Sequence, residues 1–203
     1  CSYRGGDVRL KDDSMSLVYG ALAIEAAGWT SADNLALMIA NTLIGSWDRS
    51  MGGGSNNFSY LSQVSLEKNV CNSFQSFNTC YKDTGLWGVY FIGEKSKMND
   101  LLHHIVEQWQ RLCTSVTVEE LERARNLLKT NMMLQLDGST QICEDIGRQM
   151  LCYGRRIPPT ELEARIDAVD IEHFRATCER YIRGRQPVLA LVGPTGGIIS
   201  DQQ

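Results

Sequence analysis

The stretch NSFQSFNTCYKDTGLWGVYFI, residues 72–92, decides the fold class of this sequence. Side-chain character alternates from Asn72 to Tyr81, the turn formers Lys82 to Gly85 follow, and an apolar run resumes from Leu86 to Ile92. Alternation beside a short turn predicts two antiparallel strands. The first strand would carry Phe74, Ser76, Asn78 and Cys80 on one face and Gln75, Phe77, Thr79 and Tyr81 on the other.

The chain before this hairpin predicts two further strands and a helix. The strands are expected at Tyr3 to Leu10 and at Leu17 to Ala26. A helix should follow, because apolar residues then recur at helical spacing between a cap at Ser31 or Asp33 and a stop at Gly45.

Two weaker signals lie between that helix and the hairpin. The triplet Gly52 to Gly54 predicts a flexible break. An apolar stripe over Asn57 to Leu66 predicts a short helix.

Helical periodicity dominates from Ser96 almost to the end of the chain. Apolar stripes and capping signals predict five helices and one closing strand. The helices are expected from Met98 to Leu112, from Thr117 (boxed with Glu120) to Asp137-Gly138, from Thr140 to Tyr153, from Thr160 (boxed with Glu163), and from Asp170 to Gly184, with the strand from Pro187 to Val192. Strands followed by a run of helices predict a single α+β domain over residues 1–203, with helices packed on an antiparallel or mixed sheet.

Charge and hydropathy exclude some classes of protein. The 203 residues carry a formal net charge of -4, which disfavours a nucleic-acid surface. No stretch approaches the roughly 18 apolar residues that a membrane-spanning helix needs. The first residues resemble neither a secretory signal nor a transit peptide.

The cysteines indicate a reducing compartment. There are seven of them, an odd number, and none form a Cys-x-x-Cys pair, which disfavours both a disulfide framework and a zinc knuckle. Cys113, Cys143 and Cys152 lie in apolar helical patterns, so they are predicted to be buried, reduced thiols.

The three histidines suggest no metal site. His103 and Glu107 lie four residues apart on a predicted helix, but the pattern His-His-x-x-Glu is not a zinc motif. His103 and His104 both fall off the apolar stripe and are predicted to face solvent. His173 and Cys178 could only form a catalytic pair with a third, orienting group, which the sequence does not indicate.

The remaining candidates favour structural roles. No Gly-x-Ser-x-Gly elbow or phosphate loop is present. Asp145 and Arg148 are predicted to form a partly buried pair that holds helices together. Core positions are expected for Met132, Met133, Met150, Phe74, Phe77, Trp87 and Trp109.

Several strings nevertheless resemble a known family. They are NTLIGSWDRS (41–50), SFQSFNT (73–79), DTGLWG (83–88), RLCTSVT (111–117), RARNLLKTNM (123–132), QLDGST (135–140) and the run from 142 to 158. Together they resemble the second half of β-type subunits in the mitochondrial branch of the pitrilysin-like, or insulinase-like, zinc metallopeptidases. That branch comprises processing peptidases and core subunits of ubiquinol–cytochrome c reductase, and the strings resemble the processing peptidases more closely.

The resemblance implies a division of labour within a longer subunit. Subunits of this family contain two homologous α+β domains, and the zinc motif His-x-x-Glu-His lies in the first. This chain would be the C-terminal, metal-free half, without a bound cofactor. Its implied partners are its own N-terminal domain, an α-type or second core subunit, and presequence peptides. Its implied location is the mitochondrial matrix, or the matrix face of the inner membrane for a core subunit.

The resemblance assigns no catalytic residue to this half. Some relatives steady the scissile carbonyl with an Arg and a Tyr from a segment resembling Arg-x-Lys-x-x-Leu-x-Tyr. The corresponding stretch is predicted at residues 66–72, LEKNVCN, which contains neither residue.

Overall fold

The structure, a computed structural model, describes residues 3–51 and 59–198. These residues form six strands and seven helices. The strands are β1 (Gly6–Lys11), β2 (Val18–Ala26), β3 (Ser46–Asp48), β4 (Ser73–Cys80), β5 (Gly85–Gly93) and β6 (Val188–Gly193). The helices are α1 (Asn34–Ile44), α2 (Tyr60–Lys68), α3 (Met98–Thr114), α4 (Val118–Gln135), α5 (Ser139–Tyr153), α6 (Pro159–Asp167) and α7 (Ile171–Ile182).

The strands form one mixed sheet in the order β1-β6-β2-β5-β4-β3. Strand β6 pairs in parallel with β1 and antiparallel with β2. The pairs β2–β5, β5–β4 and β4–β3 are antiparallel. This open sheet with helices packed on it confirms the predicted α+β class and the predicted hairpin.

The hydrophobic core lies between the sheet and the helices. Every second residue of the central strands is buried there, and Trp87, Val89 and Phe91 of β5 have no solvent exposure. Helix α1 packs against β4, where the Ser76 Oγ lies 2.8 Å from the carbonyl oxygens of both Asn41 and Gly45. In a pleated sheet of this kind, one face can be buried in the core while the other faces solvent.

Most predicted boundaries agree with the structure to within a few residues. The Thr117–Glu120 capping box is present, with both reciprocal hydrogen bonds formed. Asp170 caps α7 by accepting from the His173 backbone N–H at 2.7 Å. Helix α5 ends at Gly154, which has the left-handed φ of 70° expected of a glycine cap.

One local prediction is wrong, and one short strand is missed. Thr160 does not cap α6, because the helix begins one residue earlier, with Pro158 as the N-cap and Pro159 in the first turn. Proline suits that first position since its missing N–H would have no helical partner there. The short strand β3 was not predicted, because three residues are too few to show alternation.

Helix α2 begins at Tyr60, later than the predicted Asn57. Asn57 itself, the glycine triplet at 52–54 and Cys1 lie outside the described residues.

Candidate functional site

The sheet has one covered face and one open face, and the open face is the first candidate surface. The even-numbered residues of β2, among them Val18, Leu22 and Ile24, are buried against the helices. The odd-numbered residues point the other way, and the pairing register extends this division across all six strands. We call the surface formed by the outward residues the open face.

The open face is mainly apolar, although much of it meets solvent. Val8 and Leu10 of β1 are each 64% exposed, and Tyr19, Tyr90 and Val192 are exposed by 36%, 41% and 37%. The remaining residues of its central strands include Ala21, Ala23, Leu86, Gly88, Ile92, Val188 and Ala190. Contiguous apolar surface on a soluble domain is typical of a place where another molecule binds.

Tyr19 and Tyr90 stand on adjacent strands in the middle of the open face. Tyr19 is paired with Ile92 and Val192, and Tyr90 is paired with Ala21 and Gln75. Ala21 and Ile92 lie between them. Gly88 lies beyond Tyr90 on the same face, opposite Ala23, and a Cβ at this position would lie only 2.2 Å from the Leu22 carbonyl oxygen.

The charges that the strands place on the open face are both negative. Glu25 lies at the end of β2, where it accepts hydrogen bonds from Arg185 at 2.7 Å and from Thr84 at 3.2 Å. Asp48 of β3 accepts from the Ser50 hydroxyl and backbone N–H, and these bonds lower the pKa of its carboxyl. The register puts no Lys or Arg of the described strands on this face.

A second candidate is a cleft of about 740 Å³ on the helical side. It lies between the loop before α1, the end of α4, and helices α5 and α6, and no residue of α5 is fully buried. Trp29 and Tyr153 meet edge to face across it, with ring centroids 6.4 Å apart. The rest of its apolar wall includes Met38, Met132, Met133 and Leu136.

The structure corrects the prediction for the histidine pair. His103 is exposed as expected, but His104 is buried, with 8% of its surface accessible. Its Nδ1 lies 3.0 Å from Glu107 Oε2, and its Nε2 lies 3.2 Å from Lys68 Nζ. A neutral ring can donate to the carboxylate and accept from the ammonium at once. His104 therefore ties the end of α2 to α3.

The Glu107 carboxylate also accepts a second hydrogen bond. Tyr60 donates to Glu107, and this bond, with that of His104, lowers the pKa of Glu107. Burial and the neighbouring carboxylate raise the pKa of Tyr60 to about 12. The cluster joins α2 to α3 through side-chain hydrogen bonds, so its geometry is that of a structural contact.

Cys178 and His173 do not form a catalytic pair. Cys178 is completely buried in α7, and burial raises the pKa of its thiol far above the usual range. His173 is exposed in the first turn of the same helix. A buried protonated thiol is inert as a nucleophile.

The predicted Asp145–Arg148 pair is wrong as well. Asp145 instead accepts a hydrogen bond from Gln149 at 2.8 Å, while the Arg148 guanidinium lies over the Trp29 ring, 6.0 Å from its centroid. Both contacts belong to the wall of the cleft.

Several residues predicted to be buried are not. Met133 and Met150 are about half exposed, and Cys143 is exposed, while Cys113 and Cys152 are partly accessible. The apolar sides of α4 and α5 partly line the cleft. Their helical periodicity therefore comes in part from residues at the cleft and not from residues in the core. Phe74, Trp87 and Trp109 are buried as predicted.

Two further observations concern the described residues as a set. Within 3–51 and 59–198, no three His, Cys, Asp or Glu side chains come close enough to hold a metal ion. Over the same ranges, no helix combines the length and the apolar character needed to cross a membrane.

Residues 1–128 match the family model described as the peptidase M16 inactive domain. The chain belongs to the M16 peptidase family. Because the matched model is that of the inactive domain, the predicted resemblance to the C-terminal, inactive half of these peptidases is confirmed.

Close M16 relatives are similar along almost the whole chain. The mitochondrial-processing peptidase subunit beta of Homo sapiens is 60% identical over 194 residues, which are 96% of this chain and 40% of the relative. The cytochrome b-c1 complex subunit 1 of Rattus norvegicus is 42% identical over the same shares. The chain thus spans about 40% of the length of the curated relatives that it matches, and their names place it among mitochondrial proteins.

The M16 fold is also seen in a solved structure. A chain of the complex III2 structure from Candida albicans with Inz-5 bound superposes with a TM-score of 0.93, covering 98% of this chain and 48% of that one. Its sequence identity of 24% makes this evidence for the fold alone.

Sequence reasoning missed the open face for a physical reason. Strand β5, GLWGVYFIG, is apolar at nearly every position, so alternation does not distinguish its two faces. The sequence feature that could have identified the open face is residue size, since the small residues Ala21, Ala23 and Gly88 all lie on the outward side.

Proposed function

We propose that this chain is the non-catalytic, C-terminal half of the β subunit of a mitochondrial processing peptidase. Such an enzyme is a zinc metalloendopeptidase that removes presequences from imported precursor proteins. The observation that carries the proposal is the difference in similarity: 60% identity to processing-peptidase β subunits against 42% to the core subunit of the b-c1 complex, over the same residues.

In this proposal the open face forms one wall of the peptide cavity. A peptide substrate needs an apolar surface with some hydrogen-bonding groups, and the open face offers both along adjacent strands. The helical side of the sheet would then face away from the substrate. The open face frames and orients the peptide and takes no part in bond cleavage.

The residues of this half do not fit a zinc site. His104 is committed to Glu107 and Lys68, His103 is exposed on α3, and His173 lies on α7. We therefore derive no catalytic step here, and we infer that the zinc motif belongs to the N-terminal half of the subunit.

The proposed partners follow from the same inference. They are the chain's own N-terminal domain, the α subunit of the peptidase, and the basic presequence peptides of imported proteins. The proposed location is the mitochondrial matrix.

A second candidate function is that of core protein 1 in ubiquinol–cytochrome c reductase, a structural subunit on the matrix face of the inner membrane. The 42% identity to b-c1 complex subunit 1 favours this alternative. Its partner would then be core protein 2.

Peptide cleavage separates the two functions. The full-length subunit, assembled with its partner subunit, should cleave a presequence peptide, and a zinc chelator should abolish the cleavage. The present 203-residue chain should show none. If the full assembly leaves the peptide intact, the core-subunit function replaces the peptidase function.

Photo-crosslinking tests the role of the open face. A benzoylphenylalanine at position 90 should capture a presequence peptide in the full assembly. The same group at position 134, an exposed site on α4, serves as the matched control and should not. Equal capture at the two positions would exclude the open face as the cavity wall.

A further inference from the structure

Two tyrosines of the open face lie diagonally across a pair of adjacent strands. Tyr19 and Tyr90 are diagonal neighbours on β2 and β5, because Tyr19 is paired with Ile92 while Tyr90 is paired with Ala21. Diagonal neighbours on one face of an antiparallel pair lie roughly 7–8 Å apart. Aromatic side chains reach across that residue spacing, so both rings can contact one group bound between them.

The residues between the two rings are apolar. Ala21 is paired with Tyr90, and Ile92 is paired with Tyr19. Both rings are more than a third exposed, so their faces are accessible to a ligand.

The electrostatics of the open face favour a cation in this position. The only charges that the described strands place on the open face are the carboxylates of Glu25 and Asp48. Glu25 is partly neutralised by Arg185, whereas Asp48 accepts hydrogen bonds from the backbone N–H and hydroxyl of Ser50. Aromatic faces attract Arg and Lys side chains through the ring quadrupole.

We propose that Tyr19 and Tyr90 form a specificity subsite, in which the two rings receive one basic side chain of a peptide bound on the open face. The inference rests on the proposed function and adds to it the position and the chemistry of one contact. The aliphatic stem of an Arg or Lys would lie on Ala21 and Ile92, and its charged end would meet the rings.

Peptide binding to the full-length subunit, assembled with its partner and stripped of zinc to prevent cleavage, tests the proposal. The probes are a fluorescent presequence peptide and copies in which one arginine at a time is replaced by citrulline, its neutral analogue. For one such arginine, binding should weaken roughly three- to tenfold on replacement, as expected for the loss of a cation–π contact.

The variants Tyr19→Leu and Tyr90→Leu should lose the preference for arginine over citrulline and bind the presequence peptide and its citrulline copy equally. Tyr19→Phe and Tyr90→Phe should keep it, since the ring and not the hydroxyl makes the contact. Leu134→Ala, on the exposed side of α4, is the matched control and should also keep it.

If the leucine variants discriminate arginine from citrulline as strongly as the parent protein does, the subsite is excluded. The same holds if the parent protein binds all the peptides equally. In either case, cleavage of the presequence by the zinc-loaded assembly would show that the proposed function stands without the subsite. If the zinc-loaded assembly does not cleave the presequence, the subsite and the proposed function both fail.

Discussion

At the scale of single residues, the adjacent histidines show how much depends on one position in a helix. His103 and His104 are neighbours in sequence, yet only His104 lies on the side of α3 that meets α2. Burial gives it two hydrogen-bond partners of opposite charge, whereas its neighbour is exposed.

The variant His104→Ala should lower the free energy of unfolding by about 1–3 kcal/mol, because two side-chain hydrogen bonds and a buried ring are lost. Urea denaturation of this chain measures the change. His103→Ala is the matched control and should change stability by no more than about 0.5 kcal/mol. Equal effects of the two substitutions would contradict the role assigned to His104.

The thiols should differ widely in reactivity. Burial raises the pKa of Cys113 to about 11, so at pH 8 roughly one molecule in a thousand carries its thiolate. Cys143 is exposed and should be alkylated much faster. Cys178 is fully buried and should react only when the protein unfolds.

Alkylation with iodoacetamide, followed by mass spectrometry of the peptides, gives the order in which the three thiols react. The rate at Cys113 should rise about tenfold per pH unit above pH 8 while the fold persists, since the reactive thiolate increases in that proportion up to its pKa. A Cys178 labelled as fast as Cys143 in the native protein would contradict the structure.

At the scale of the elements, two capping boxes with the same sequence signature have different outcomes. Thr117 and Glu120 exchange both hydrogen bonds at the start of α4. Thr160 and Glu163 do not, because Pro158 and Pro159 fix the backbone and start α6 one residue earlier. A cap signature is thus decided by its flanking residues.

Removing the real cap should destabilise the protein. Thr117→Ala should cost about 1 kcal/mol, because it leaves a helical N–H without its acceptor. Thr160→Ala should cost no more than about 0.5 kcal/mol, since that hydroxyl caps nothing. Thermal or urea unfolding of the two variants makes the comparison, and a larger loss for Thr160→Ala would contradict the assignment of the caps.

The elements themselves were largely predictable, and the exceptions have physical causes. The hairpin of β4 and β5 and the helices α1, α3 and α7 follow from periodicity and caps. Helix α5 was predicted with its ends nearly correct, yet its apolar stripe meets a cleft and buries no residue fully. Periodicity shows that a helix has an apolar side, but it does not show what covers that side.

At the scale of the whole molecule, the two faces of the sheet should differ in their contribution to stability. Phe91→Ala should lower the free energy of unfolding by about 3–5 kcal/mol, because it opens a cavity in the core. Tyr90→Ala, one residue away on the open face, should cost no more than about 1 kcal/mol.

Urea denaturation measures both variants in this chain. If the Tyr90 variant loses as much stability as the Phe91 variant, the assignment of the covered and open faces is wrong.

The candidate surface lies at the limit of what the sequence could predict. Each strand of the open face was predicted or is too short to show a pattern, but the order of the strands depends on long-range pairing. Tyr19 and Tyr90 are far apart in the chain and become neighbours only because β2 pairs with β5. The resemblance to the M16 family identified the class of protein, and the structure located the surface.

The strand order also has a consequence for how this chain is made. Strand β6, near the end of the sequence, lies between β1 and β2, both from its beginning. As the chain leaves the ribosome, the position between those two strands stays empty until β6 emerges. The sheet therefore cannot close before β6 is made, and a nascent chain halted before Val188 keeps two unpaired strand edges that are open to chaperones or misassembly.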